Sequence, residues 1–223
     1  MALIDAQAHY LANVLRLKPG DAVALFNGRD GEWLAYLTGI GKKSVSLRIE
    51  RKTSEVKPPP DIDYVFAPLK HVRLDYLVQK ATELGARRLR PVMTQRTIAG
   101  RVNLDRMRAN AVEAAEQCNL VFVPEVHEPV GLAELIAGWE QSRRLIYCDE
   151  RATIANPVQA LAGIAPPAAV LVGPEGGFTP DERDLLKGQG FVTAISLGPR
   201  IMRADTVAIA ALALVQASVG DWS

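Results

Sequence analysis

Residues that bind metals are scarce in this 223-residue chain, which has two cysteines, Cys118 and Cys148, and three histidines, His9, His71 and His127. No CxxC spacing joins the thiols and the histidines lie far apart, so neither a Cys/His cluster nor a metal cofactor is expected. Each cysteine reads as a small buried apolar residue. No run approaches the roughly 18 continuous apolar residues of a membrane span, and the start lacks the basic-then-apolar order of a signal peptide. The expectation is a cytoplasmic protein with no membrane partner. Walker spacing and GxGxxG are both absent, which removes the usual support for phosphate binding. There is no internal repeat and no low-complexity tract.

What is present suits a folded protein: 48% of residues are hydrophobic and 23% charged, enough apolar material for an ordinary core. The net charge of +1 hides an asymmetry. Residues 1–110 carry 19 Lys and Arg against 11 Asp and Glu, whereas 111–223 carry 7 against 14. Such a division fits a basic part that meets a polyanion, and equally fits halves that attract each other within a chain or across a dimer.

Along the first 52 residues, short strands alternate with Gly, Asn and Asp turns: 22–26, 32–40 and 44–50. That rhythm predicts a small β-barrel. Before it, His9 to Arg16 can form a helical turn with Leu11, Val14 and Leu15 on one side. The stretch 53–61 holds three consecutive prolines at 58–60, which cannot continue a helix or a central strand, and reads as a linker. The expected division is therefore a domain over 1–55, a linker over 56–62 and a second domain over 63–223.

From Asp63 strands alternate with helices, the pattern of a mostly parallel α/β sheet. Strands are predicted at 64–69, 88–92, 145–148, 169–172 and 191–197. The helical spacing of Leu74, Leu77, Val78, Ala81 and Leu84 ends at Gly85, a left-handed cap. A second helix follows an Asn103 cap, with Leu104, Met107, Ala111, Ala114, Ala115 and Cys118 inward. The last, over about 206–217, is apolar on nearly every side except Gln216, which implies deep burial or burial against a second subunit.

Two loops stand out. Val170-Leu171-Val172 runs into Gly173-Pro174-Glu175-Gly176-Gly177-Phe178, and Thr179-Pro180-Asp181-Glu182 then forms a helix start with a capping box. A strand end, a glycine turn and a helix start define a ligand position in open α/β sheets, although a plain structural turn has the same pattern. The strand ending at Leu197 repeats the arrangement through Gly198-Pro199-Arg200-Ile201-Met202-Arg203-Ala204-Asp205 and Thr206. Ile201 and Met202 are large apolar side chains within a loop, suited to plugging the core or to lining a pocket for a flat apolar group such as a purine. Asp205 at the mouth of the last helix suits a cap, catalysis, or both.

Together, Leu171 to Phe178 and Ser196 to Ala208 resemble the paired C-terminal signature of the RsmE family. These are SPOUT-class, trefoil-knotted methyltransferases that modify N3 of a uridine in bacterial 16S ribosomal RNA. His9 to Leu17 with Pro19-Gly20-Asp21 is similar to the start of that family's PUA-like β-barrel. Gln79 to Gly85 resembles its first methyltransferase helix, and Glu113 to Cys118 its Ala-Glu-Gln helix. The family usually carries Glu at the position of Asp205 and arginines where this chain has Asn119 to Val123.

The resemblance implies a knotted α/β methyltransferase domain after a PUA-like domain, with S-adenosyl-L-methionine (SAM) as cofactor and 16S ribosomal RNA or the small ribosomal subunit as substrate. It also implies a homodimer. Leu171, Gly173, Glu175, Gly176, Gly177, Leu197, Gly198, Pro199, Ile201, Met202 and Thr206 are the implied cofactor residues, with the loop from Val92 to Arg96 as the third element of the knot. Arg203, Asp205 and Glu175 are the candidate catalytic residues: a cation for the carbonyl oxygens and carboxylates for the N3 proton. RNA phosphates are expected on Arg16, Lys18, Arg29, Lys42, Lys43, Arg87, Arg88, Arg96 and Arg101. A homologue that binds SAM and RNA with an altered target or reduced catalysis is the alternative.

Overall fold

Three prolines, Pro58 to Pro60, begin the second of two units in the computed structural model, which describes residues 1–70, 72–153 and 156–222 and divides between Lys57 and Pro58. His71 lies outside the described residues.

The first unit contains β1 (Ala2–Ile4), α1 (Asp5–His9), one π-helical turn (Tyr10–Val14), β2 (Ala22–Phe26), β3 (Glu32–Ile40) and β4 (Ser44–Ser54). Its strands pair antiparallel in the order β1-β4-β3-β2. Three register shifts between β3 and β4 bend the sheet, because each irregularity adds local twist. The predicted barrel thus takes the form of a curled half-barrel around Leu3, Leu11, Ala35, Leu37, Val45 and Leu47.

Two expectations here are corrected. The helical turn begins at Asp5 rather than His9, and of its supposed apolar side only Leu11 is buried, with Val14 and Leu15 exposed. Strand β4 also runs past residue 52. Thr53 Oγ1 donates to the Glu32 carbonyl and carboxylate, and Ser54 pairs with Glu32. Polar side chains therefore extend the sheet into the predicted linker.

The second unit runs β5 (Ile62–Phe66), α2 (Val72–Glu83), β6 (Arg88–Met93), α3 (Leu104–Gln117), β7 (Glu125–Val126), β8 (Val130–Gly131), α4 (Leu132–Ala137), β9 (Arg144–Cys148), α5 (Pro157–Leu161), β10 (Ala168–Val172), α6 (Pro180–Lys187), β11 (Val192–Ile195) and α7 (Ala204–Ser218). All pairings are parallel, in the order β11-β9-β10-β5-β6-β7, with β8 beside the end of β6. Strand β10, late in sequence, sits between β5 and β9 at the centre. All five of its residues are buried, as a parallel strand covered on both faces requires. Alternation divides them: Ala168, Val170 and Val172 face α2, α3 and α7 with Tyr64, Phe66, Leu77, Met107 and Leu212. Ala169 and Leu171 face α4 and α6 with Val65, Leu145, Tyr147, Leu135 and Leu186.

Helix α2 ends with Gly85 in the left-handed region, and Asn103 caps α3 by accepting from the Arg106 amide. Helix α7 packs its alanine-rich side on this core. Gln216, expected on its polar side, is instead fully buried and donates through Nε2 to the carbonyls of Leu84, at 2.7 Å, and Gly85. Carbonyls at the end of a helix need donors, so this glutamine completes α2 from a residue 131 positions or more away. No helix among the described residues is long and apolar enough to cross a membrane.

Candidate active site

Both glycine turns lie at the carboxyl ends of their strands and line one cavity of about 300 Å³, at the small end of ligand-site volumes. The first turn has Gly173 at its start because of Phe178. A Cβ there would come within 2.5 Å of the Phe178 ring, which packs edge-on against Tyr147 at 5.1 Å between centroids. In the second turn Gly198 has φ +110, a conformation that side chains rarely adopt. Among the described residues the main chain of 197–202 is tied to Ser196 alone, whose hydroxyl accepts from the Gly198 amide and donates to the Gly198 carbonyl. Its remaining amides, those of Ile201 and Met202 included, make no hydrogen bond among the described residues.

The turns are held by two side chains from elsewhere. Thr179 caps α6 in the predicted capping box, and the buried Glu182 carboxylate accepts from the amides of Thr179, at 2.9 Å, and Gln95, at 2.7 Å. It thereby joins the loop after β6 to the loop after β10. Arg96 adds a second link by donating to the Gly176 carbonyl at 2.8 Å. Arg96, expected on RNA phosphate, already has a partner within the loops.

Of the residues predicted for the cofactor, Gly173, Glu175, Gly177, Leu197, Gly198, Ile201 and Met202 line the cavity. Gly176, Pro199 and Thr206 belong to the same turns but stand outside its wall. Leu171 departs from expectation: it is fully buried in the α4/α6 side of the core, because the odd residues of β10 point away from α7. Ile201 is 95% exposed, so it plugs nothing.

Sequence reasoning missed the third wall, formed by Tyr147, Cys148, Asp149 and Glu150 at the end of β9. An acidic pair directly after a short apolar strand was the available signal. Asp149 is buried and ion-paired with Arg183 and, at 3.1 Å, with Lys187. Burial works to raise its pKa, but the Arg151 amide and these cations prevail and hold the carboxyl below its usual range. Arg183 also donates to Glu150 and to the Phe178 carbonyl, so it fixes the first turn to the end of β9.

Both cysteines depart from the expected burial. Cys118 is exposed, at the end of α3, and Cys148 is half-buried in the cavity wall. Burial pushes the Cys148 thiol up to about 12, which keeps it protonated. The hydroxyls of Tyr64 and Tyr147 are buried without a hydrogen bond among the described residues, and burial raises both phenols above their ordinary range. The carboxylate of Asp205 adds to the effect on Tyr64.

The candidate catalytic residues differ in their freedom. Arg203 lines the cavity, is exposed, and its side chain has no hydrogen-bond or ion-pair partner among the described residues. It is also the N-cap position of α7, without a side-chain cap. Asp205 lies inside the first turn of α7, where its carboxylate accepts from the Thr206 amide at 2.9 Å, so the cap role read from sequence is not its position. Arg73, at the start of α2, was not anticipated: its guanidinium lies 3.7 Å from Glu175 and 3.9 Å from Asp205.

The basic residues expected on RNA also separate. Lys18, Lys42, Lys43 and Arg16 are exposed without ion pairs among the described residues, as is Arg101, and Arg87 is half-exposed and equally unpaired. Arg29 pairs with Asp30. Arg88 is bound to Asp61 and Asp63 at the opposite end of the sheet, so it is a structural residue.

A doubly covered parallel sheet with a cavity between glycine turns, joined in sequence to a curled antiparallel unit, is the arrangement of RNA methyltransferases with a PUA domain: the RNA methyltransferase domain family matches residues 56–216 and the RNA methyltransferase PUA domain family residues 3–50. Ribosomal RNA small subunit methyltransferase E of Rickettsia conorii is 32% identical over 95% of this chain and 87% of its own length. The Synechocystis protein of the same name is 31% identical over 97% of this chain and 73% of its own. The chain belongs to the ribosomal RNA small subunit methyltransferase E family. The Neisseria gonorrhoeae enzyme of that name, solved bound to SAM, superposes with a TM-score of 0.83 at 29% identity, covering 100% of this chain and 93% of that one. A Legionella pneumophila protein solved with the cofactor SAM gives 0.86 at 30% identity, over 99% and 93%.

Proposed function

We propose that this chain methylates N3 of a uridine in small-subunit ribosomal RNA, with SAM as methyl donor. The observation that carries the reading is that both glycine turns and the unpaired Arg203 line one cavity at the carboxyl ends of three parallel strands. Family membership supports the reaction class, and the SAM-bound relatives support the cofactor.

The residues present fit the cofactor. The free amides between Leu197 and Met202 supply hydrogen-bond donors for a base edge, and Ile201 and Met202 supply apolar surface beside them. When bound, SAM would supply an electrophilic methyl group on a positively charged sulfur, with the neutral thioether as its leaving group. The chain's own task is to hold the uracil in line and take its proton. Arg203 faces the carbonyl oxygen where negative charge collects. Asp205 or Glu175 accepts the N3 proton.

The exposed cations Arg16, Lys18, Lys42, Lys43 and Arg101 hold phosphates in this reading, which fixes the RNA without reading its sequence. The trefoil crossing belongs to it as well, supported by the insertion of β10 between β5 and β9. So does a homodimer in the cytoplasm, supported by apolar residues of α7, such as Ile209 and Leu214, that the chain leaves only half-buried. The test is mass spectrometry of small-subunit RNA from cells with and without the gene, paired with transfer of labelled methyl to unmodified RNA by the purified protein. Loss of one methyluridine that the protein restores is expected; an unchanged RNA and no transfer overturn the proposal.

A further inference from the structure

We infer that Arg73 is a positioning residue for methyl transfer, joining the two carboxylates of the site through one guanidinium. This rests on the function proposed above. Arg73 stands at the start of α2, in a part of the chain that neither glycine turn contains. Its Nη1 lies 3.7 Å from Glu175 in the first turn, and its Nε lies 3.9 Å from Asp205 at the start of α7. The partners are 102 and 132 positions away in sequence, and among the described residues this arginine alone forms ion pairs with both.

Two features separate the contact from an ordinary surface ion pair. First, both partners are acids beside the cavity that, unlike Asp149 and Glu150, no close ion pair engages among the described residues, and their side chains are only 33% and 20% exposed. Two carboxylates brought together repel, the more so where water is partly excluded, unless a cation stands between them. Second, the fork of the guanidinium points different nitrogens at different partners, which a single ammonium cannot do. Both distances are longer than a hydrogen bond, so the arginine leaves the carboxylates' lone pairs unoccupied, although one oxygen of Asp205 accepts from the Thr206 amide. The arginine fixes where the acids stand and leaves them free to act, while Arg203, unpaired across the cavity mouth, is left to meet the substrate.

The experiment is single-turnover methyl transfer at saturating SAM and RNA, with SAM affinity measured separately by calorimetry, for wild type, Arg73→Ala, Arg73→Gln and Arg73→Lys. Arg73→Ala and Arg73→Gln are expected to lower the rate about 10- to 100-fold, the scale of a misplaced reacting group, with SAM affinity unchanged. Arg73→Lys is expected to recover part of the loss. In a background of Asp205→Asn with Glu175→Gln, the further change Arg73→Ala is expected to add nothing, since non-additivity marks residues that act together. A wild-type rate at saturation with weaker RNA affinity alone would make Arg73 a phosphate contact and overturn the inference. So would a full multiplicative loss in the doubly substituted background. Inactive wild type on every small-subunit RNA tested would instead overturn the proposed function, a separate result.

Discussion

The two ends of the parallel sheet use charge in opposite ways. At the amino ends, Asp61, Asp63, Arg88, Arg90 and Arg143 form a network in which Asp63 is wholly buried and Arg88 reaches it at 2.6 Å. Arg143 binds both oxygens of Asp61 at 3.0 and 3.1 Å, and Arg90 lies over the Trp139 ring. At the carboxyl ends the wall formed by Asp149 and Arg183 is just as tightly paired, but other charges there are not: the Arg203 side chain has no partner among the described residues and Arg73 meets its carboxylates only at 3.7 and 3.9 Å. Saturated charge holds elements in place, whereas charge left incompletely paired is ready to meet a ligand.

The amino end offers the largest effect. Arg143→Ala removes a buried guanidinium from the part-exposed Asp61 and is expected to cost about 3 kcal/mol in denaturant unfolding, the low end of the cost of breaking a buried pair. The acid limb follows the same pair. Burial works to raise the Asp61 pKa, but the hydrogen bond and charge of Arg143, with Arg88, hold it below its ordinary 3.8. A lowered folded pKa gives stability that is full above the unfolded value and lost as pH falls through the folded one. Unfolding followed from pH 5 down to about 2 should show that loss below about pH 4 in wild type, and a shallower one in Arg143→Ala.

Next comes the carboxyl end, where Arg203→Ala is expected to leave unfolding unchanged and lower the rate of transfer about 10²- to 10³-fold, as for loss of a donor to a developing anion. A large fall in stability instead would erase the contrast between the ends. Glu182→Gln sharpens it, because this carboxylate lies near the site yet is saturated by two amides. A stability loss of about 1.5–3 kcal/mol in thermal or denaturant unfolding is expected. The smallest effect belongs to Ile201→Ala: with a side chain this exposed, stability should stay within about 0.5 kcal/mol, while calorimetry shows weaker SAM binding.

What the sequence revealed was mostly what acts over a few residues. The capping box at Thr179, the Asn103 cap and the helical spacing from Leu74 to Leu84 are local in cause, and the structure has them where the pattern placed them. The two turns were legible for the same reason. Gln216 was misread because its partners are carbonyls at the far end of another helix, and no spacing rule connects them. Arg88 and Arg96 looked like free surface cations until the sheet brought them to Asp61 and Gly176. Arg73 and the acidic end of β9 became visible only when three strand ends met in space. Two of the site's walls could be read along the chain, but the third and the site's electrostatics could not.

The central position of β10 sets a condition on assembly. A ribosome releases β5 and β6 long before β10, and β5 needs β10 along its second edge, whereas β9 pairs only with β10 and the still later β11. During synthesis β5 therefore has an open edge of the kind that recruits other chains. Closing it demands contacts between residues more than 100 positions apart, as Val170 with Tyr64, a topology that folds slowly. The strand that delivers the first glycine turn to the cavity is therefore also the one that covers the open edge of β5 and brings β9 into the sheet.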